Sequence, residues 1–299
     1  MTDGTATEEP PPAPVVADVA PEEIAPGVYV IPDGRVPLVP NVGIVVGERA
    51  ALVVDTGMGP RNGARVLEKA RTLTDRPLLL TLTHFHPEHG FGAQVFERET
   101  TIVYNREQAD ELREKGPGYV EMFRGFGEGV AAQLEGVELV PPHVVYEGSS
   151  SVDLGGVTVE LSHHGLAHTK GDQLVLVREH GVLFTGDLVE TRLFPIFPWF
   201  PPQDTDVSGR GWISVLEVID HLDASIVVPG HGEVGGRELT AAVLEYILDV
   251  QQRVRDAGDV GSVEELKAEL EPQLRERYDW DAPEWIGFAI ECFYTELHG

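Results

Sequence analysis

The chain has 299 residues, 42% of them hydrophobic, enough for one large domain or two modest ones with a sizeable core. Its 50 acidic against 22 basic residues give a net charge of −28, a field that repels nucleic-acid backbones and anionic lipid. One cysteine, Cys292, leaves no intrachain disulfide framework, and no apolar run of about 18 residues offers a membrane span.

Residues 1–23 are rich in Pro, Ala, Thr and Glu and include Pro10-Pro11-Pro12, a composition that predicts a disordered tail with order beginning near Ile24. No basic region followed by an apolar stretch is seen there, so a cytoplasmic location is the expectation. Residues 27–32 read as a first strand. Residues 41–46 and 50–54 read as a hairpin about Gly47-Glu48. Ala64, Val66, Leu67 and Ala70 recur at helical spacing over 62–72, and 77–83 is the continuous apolar run of a buried strand. This alternation favours α/β layers.

From residue 104 to 142 the pattern changes to a helical insert, with a helix over 106–115 broken at Gly116-Pro117-Gly118. A cap over a site and a plain connecting helix pair are equal readings of it. Tyr104, Tyr119, Phe123 and Phe126 are its candidate pocket side chains. Strands return at 144–146, 157–162, 173–178, 182–185 and 225–228, with a helix over 214–222. Three helical stretches, 238–257, 262–277 and 283–297, form a C-terminal region expected to pack on residues 24–237.

The segment His84-Phe85-His86-Pro87-Glu88-His89 follows the apolar strand and places three imidazoles and a carboxylate within six residues. Imidazole is the commonest zinc ligand, and a loop at a strand end can aim alternate side chains into one cavity. An exposed histidine-rich loop without metal is the plain alternative. Three more donors each follow a strand: His168 in Ala167-His168-Thr169, Asp187 in Thr185-Gly186-Asp187, and His231 in Gly230-His231-Gly232. Each alone is an ordinary loop residue; four strand-end donor motifs in one chain point to a metal site.

In this order the motifs resemble those of the metallo-β-lactamase-fold hydrolases, over roughly residues 27–235. The resemblance implies an αββα four-layer sandwich and two zinc ions. His84, His86 and His168 would hold the first ion, Glu88, His89 and His231 the second, and Asp187 would bridge them. Asp55, in Asp55-Thr56-Gly57 after a strand, is similar to a family aspartate that supports the metal-bearing loop. The family commonly has Asp where Glu88 stands. Glu88 is therefore either a ligand or a base, and a single-metal or iron-loaded site is the alternative to two zincs.

Such a centre implies a hydrolase in which metal-activated hydroxide attacks an ester, thioester, lactone or related acyl bond of a small molecule, with Glu88 or Asp187 as proton carrier. A β-lactamase, a non-haem iron oxidoreductase on the same fold and a scaffold without turnover are the rival readings. Phe197 and Trp199, in the Pro-rich stretch 193–202, are candidates for an aromatic pocket wall. A loop packed into the core or a subunit interface of a homo-oligomer is the alternative there. His164 is a candidate neighbour of the metal ligands.

Overall fold

The structure, a computed structural model, describes residues 12–201, 204–258 and 262–298. The first sheet runs in sequence order through β1 (Glu22–Ala25), β2 (Val28–Ile31), β3 (Val42–Val46), β4 (Ala51–Val54), β5 (Leu78–Thr81), β6 (Thr100–Asn105) and β7 (Val144–Tyr146). It is antiparallel from β1 to β4 and parallel from β4 to β7. The second sheet has the order β12 (Ile226–Pro229), β11 (Val182–Gly186), β10 (Leu174–Val177), β9 (Thr158–Ser162), β8 (Ser149–Asp153). Only β11 and β12 pair in parallel within it.

The period-2 alternation of strand side chains sorts these residues into layers. On β4, Leu52 and Val54 face the second sheet, while Ala51 and Val53 face outward to helices. On β10, Val175 and Val177 face the first sheet, while Leu174 and Leu176 face the opposite helices. The two sheets therefore share one apolar seam, and each buries its other face under helices. The seam is close enough at Gly43 that a Cβ there would stand 2.4 Å from the ring of Phe184.

Over the first sheet lie α1 (Gly59–Leu73), α3 (Arg106–Arg124) and α4 (Glu128–Gln133), through Val66, Leu112, Val120 and Val130. Over the second lie α5 (Gly209–His221), α6 (Arg237–Ala257), α7 (Val263–Tyr278) and α8 (Ile286–His298), through Trp212, Ile247, Leu270 and Ile290. The result is the four-layer α/β sandwich expected from the sequence, with the C-terminal helices thickening one outer layer. No helix among the described residues is long and apolar enough to cross a membrane.

Two expectations need correction. Order begins well before Ile24, although residues 1–11 of the expected tail lie outside the described residues. Val16 is buried, its amide donates to Oδ1 of Asn62 (2.9 Å), and Asn62 donates back to the carbonyl of Pro14 (2.8 Å). Arg65 donates to the carbonyl of Val16 and Lys69 pairs with Asp18, so α1 holds this segment by its outward polar face. A Pro- and Ala-rich composition does not announce a dock whose partners come from elsewhere in the chain. Second, Gly116-Pro117-Gly118 does not break the helix: α3 runs through it. Proline removes one amide donor, and packing of the helix face outweighs that loss. Gly116 is the point where Leu139 approaches, at 2.7 Å from a would-be Cβ.

Candidate metal centre

All four donor motifs sit at the same edge of the sandwich, where β5, β11 and β12 end and the loop after β9 returns. Tight turns on that edge depend on glycine. Gly186 has φ 54° and lies against Thr83, and a Cβ on Gly230 would fall 1.9 Å from Oδ1 of Asp187. Short helix α2 (Pro87–Gly90) begins at Pro87, whose missing amide is no loss at a helix start.

The seven expected ligands come together in two groups that share Asp187. Ligand atoms of His84, His86, His168 and Asp187 all lie within 4.8 Å of one another, as do those of Glu88, His89, Asp187 and His231. In the first group Nε2 of His84 and Nε2 of His168 each lie 3.1 Å from Nδ1 of His86, and both face Oδ2 of Asp187 at 3.7 and 3.8 Å. In the second, Nε2 of His89 and of His231 face Oδ1 of Asp187 at 3.1 and 3.6 Å.

Every one of these side chains is buried. Among the described residues, both carboxylate oxygens of Asp187, Oε2 of Glu88 and Nε2 of His89 have no hydrogen-bond partner. Buried polar atoms are ordinarily satisfied, and leaving one unpaired costs about 1–3 kcal/mol. Converging lone pairs of nitrogen and carboxylate oxygen, without protein donors, are what a pair of divalent cations would satisfy. The residues present thus fit a two-metal site, one ion per group with Asp187 between them.

The outer nitrogens of four of the five imidazoles are fixed by their surroundings, which sets the inner ones toward Asp187. His89 donates from Nδ1 to Oδ2 of Asp55 (2.9 Å), His168 from Nδ1 to the carbonyl of Ile196 (2.9 Å), and His231 from Nδ1 to the carbonyl of Val39 (2.9 Å). Nδ1 of His84 lies 3.2 Å from Oγ1 of Thr83. Asp55 accepts from the Thr83 amide (2.7 Å) and hydroxyl (2.8 Å) as well, with its own backbone in the left-handed region at φ 69°. Asp55 thus ties Thr83, at the head of the donor loop, to His89 within it.

Electrostatics agree with these contacts. Burial holds His84 and His86 well below the usual imidazole range and lowers His168, so all three are neutral and free to donate lone pairs. Burial opposes charge on Asp187 too, but His89, His231 and His84 outweigh it and hold the carboxyl well below the carboxylate range. For His89 burial is overcome by Asp187 and Asp55, which raise it well above the usual value. Glu88 is raised by burial.

Two sequence expectations fail here, those for His164 and Phe197. His164 is exposed and bonds only to Oγ of Ser162 (2.9 Å), so it does not reach the ligands. Phe197 is fully buried against Trp212 (ring centroids 4.7 Å) and Phe293 (6.1 Å), and Trp199 packs on the same helical core. Phe197 thus follows the rival reading of that stretch, a loop packed into the core, whereas Trp199 is only partly buried; Pro202 at its end lies outside the described residues. What the stretch gives the centre is a backbone atom, the Ile196 carbonyl. Of the insert's rings, Tyr104, Tyr119 and Phe123 are buried, while Phe126 is half exposed.

Several positioning groups lie outside the donor motifs. Thr83 is visible in the sequence only as the residue before His84. Asp33 accepts from the Gly232 amide (2.8 Å), and Asn41 donates to the carbonyls of Pro229 (3.0 Å) and Gly232 (2.8 Å). These two lock the His231 loop from 188 to 199 residues away, where no local pattern links them. Glu190, buried with an unpartnered Oε2, stands close enough to be pushed well above the carboxylate range, first by burial and then by Asp187.

Comparison with known proteins follows the same line. The profile of the Metallo-beta-lactamase superfamily matches residues 35–231. An acyl-coenzyme A thioesterase MBLAC2 of Gallus gallus is 30% identical over 213 residues, 66% of this chain and 74% of that protein. Among solved structures, a metallo-beta-lactamase from Pontibacter korlensis superposes with a TM-score of 0.61 at 20% identity, covering 77% of this chain and 98% of its own. The sec-alkylsulfatase Pisa1 from Pseudomonas sp. reaches a TM-score of 0.70 at 14% identity, covering 93% of this chain and 50% of its own.

Proposed function

Because this chain belongs to the metallo-beta-lactamase superfamily, we propose that it is a two-zinc hydrolase whose substrate is a small acyl thioester of the acyl-coenzyme A kind. The observation that carries the hydrolase reading is the pair of buried donor groups meeting at Asp187. The thioester follows from the MBLAC2 relative. Ions held there would polarise an acyl carbonyl and bring the pKa of a bound water toward neutrality.

The protein's part is to hold that geometry. Asp187, kept ionised chiefly by the imidazole of His89, supplies negative charge between the two groups. His84, His86 and His168, kept neutral by burial, give one group of mainly nitrogen donors. Glu88 gives the other group a carboxylate, one methylene longer than the aspartate common in the family. Zinc suits a nitrogen-rich set with carboxylate oxygen and no thiolate.

The test is elemental analysis of purified protein followed by a panel of acyl-coenzyme A thioesters, p-nitrophenyl esters, lactones and nitrocefin, with oxygen uptake measured alongside. We expect about two zinc ions per chain and fastest turnover of a thioester, lost in Asp187→Ala. A protein that takes up no transition metal, or that consumes oxygen and leaves every acyl substrate intact, would sink this reading.

A further inference from the structure

Four of the five histidines at the centre are oriented by a hydrogen-bonding neighbour on the outer nitrogen. His86 is the exception: its inner Nδ1 faces His84 and His168, and its outer Nε2 is buried with no hydrogen-bond partner among the described residues. What lies on this ring is Tyr119 of α3, nearly parallel to it, with centroids 5.2 Å apart and planes 25° apart. Tyr119 also meets the ring of Phe85 edge-on at 5.0 Å.

Tyr119 is itself held from behind. Its hydroxyl donates to Oδ2 of Asp204 (2.7 Å). The other oxygen of Asp204 accepts from Nζ of Lys115 (2.8 Å), one turn earlier on α3. Lys115 also pairs with Glu111 (2.7 Å) and Asp206 (2.9 Å), and Oε2 of Glu111 accepts from the Gly171 amide (2.9 Å), three residues past His168. Glu111, Asp204 and Tyr119 are buried, and the Lys115 side chain is only 11% exposed. Such a network is costly unless its members are held together, and here each of the three carboxylates reaches Nζ of Lys115, with Asp206 also paired to Lys170 (2.7 Å).

We propose that Tyr119 is the positioning residue for His86, substituting ring stacking for the missing hydrogen bond, and that Lys115 fixes Tyr119 through Asp204. The inference rests on the two-metal reading above. It gives the helical insert a role at the centre, with α3 as one wall of the His84–His86–His168 group. Removing the ring frees His86 to rotate about its side-chain bonds and weakens that group alone.

The experiment uses the full chain titrated with zinc and with cobalt(II) against a chromophoric chelator. His168→Ala and His231→Ala assign the two binding steps to the two groups. In Tyr119→Leu, affinity at the His84–His86–His168 group should fall about 10- to 100-fold, the usual effect of removing a residue that orients a ligand. The visible cobalt bands of that ion should shift, while the other group stays within about threefold. Tyr119→Phe keeps the ring and loses the bond to Asp204, so it should lose about two- to tenfold at the same group. Lys115→Met should resemble Tyr119→Phe.

Wild-type affinity and cobalt bands in a folded Tyr119→Leu would overturn the proposal. So would equal weakening of both groups, which would mark Tyr119 as an ordinary core residue. Should Tyr119→Leu not fold, Tyr119→Phe decides by the same two readings. A wild-type chain that binds no metal defeats the metal reading itself, an outcome distinct from an insensitive variant.

Discussion

Gly230 and Asp187 touch so closely that no other residue fits between them. A Cβ on Gly230 would stand 1.9 Å from Oδ1 of Asp187 and 2.9 Å from its amide nitrogen. Gly230→Ala must therefore displace the shared carboxylate or the His231 loop. Overpacking of this kind costs about 1–3 kcal/mol. Thermal unfolding and metal content should both fall. Gly118→Ala is the counterpart: nothing lies within 4 Å of its Cβ and it sits inside α3, so the variant should gain up to about 1 kcal/mol.

Asp55 serves three donors at once, the amide and hydroxyl of Thr83 and Nδ1 of His89. Asp55→Ala leaves the Thr83 amide unpaired and His89 Nδ1 with only the longer contact to the Thr83 hydroxyl (3.3 Å). We expect the second ion, held through His89, to bind about 10- to 100-fold more weakly, read by chelator competition. Unchanged affinity would mean that the His89 ring is set by something other than this carboxylate.

Glu88 distinguishes ligation from proton transfer. As a ligand, its replacement by the neutral amide in Glu88→Gln should remove most affinity for the second ion, whereas Glu88→Asp should keep more of it. Metal stoichiometry is the readout. Two full-strength ions in Glu88→Gln, with turnover abolished, would make Glu88 a base instead.

Cys292 is 3% exposed, and burial pushes its thiol up to about 12. Only the thiolate reacts. Native protein at pH 8 should therefore give almost no colour with a disulfide reagent over minutes, and one equivalent in guanidinium. Rapid native labelling would contradict the packing of α8. The same inertness makes thiol release from a thioester measurable without background.

The donor motifs are legible in the sequence because each is local: a strand end, a glycine and a ligand-type side chain within a few residues. His84, His168, Asp187 and His231 need no structure to be picked out. Strands with an alternating or continuous apolar pattern, such as β3, β4 and β5, are legible for the same reason. β1, β6 and β8 do not emerge as strands: Glu22-Glu23 and Ser149-Ser150-Ser151 are polar edge sequence, and β6 runs straight into the helical pattern of the insert. The misplaced pocket wall has a different cause. Phe197 and Trp199 have the composition of a ligand pocket or of a core, and only packing decides, as the contacts of Phe197 with α5 and α8 do for that ring. Supports such as Val39, Asn41 and Tyr119 act across the fold, by a carbonyl, an amide or a ring face that carries no motif.

Each ligand group draws on both sheets. His84, His86, Glu88 and His89 follow β5 of the first, while His168, Asp187 and His231 follow strands of the second. Bound ions would thus act as rivets through the seam at one edge, beside hydrogen bonds that already cross it, such as those of Gln173 to Thr81 and Leu82 and of Asn41 to Pro229. Since a ligand that binds only the folded form stabilises it in proportion to the logarithm of its free concentration, the resistance of this edge to prying apart would track the metal supply around it. Stripping the ions should loosen hydrogen exchange first at the ends of β5 and β11, and last beneath α6.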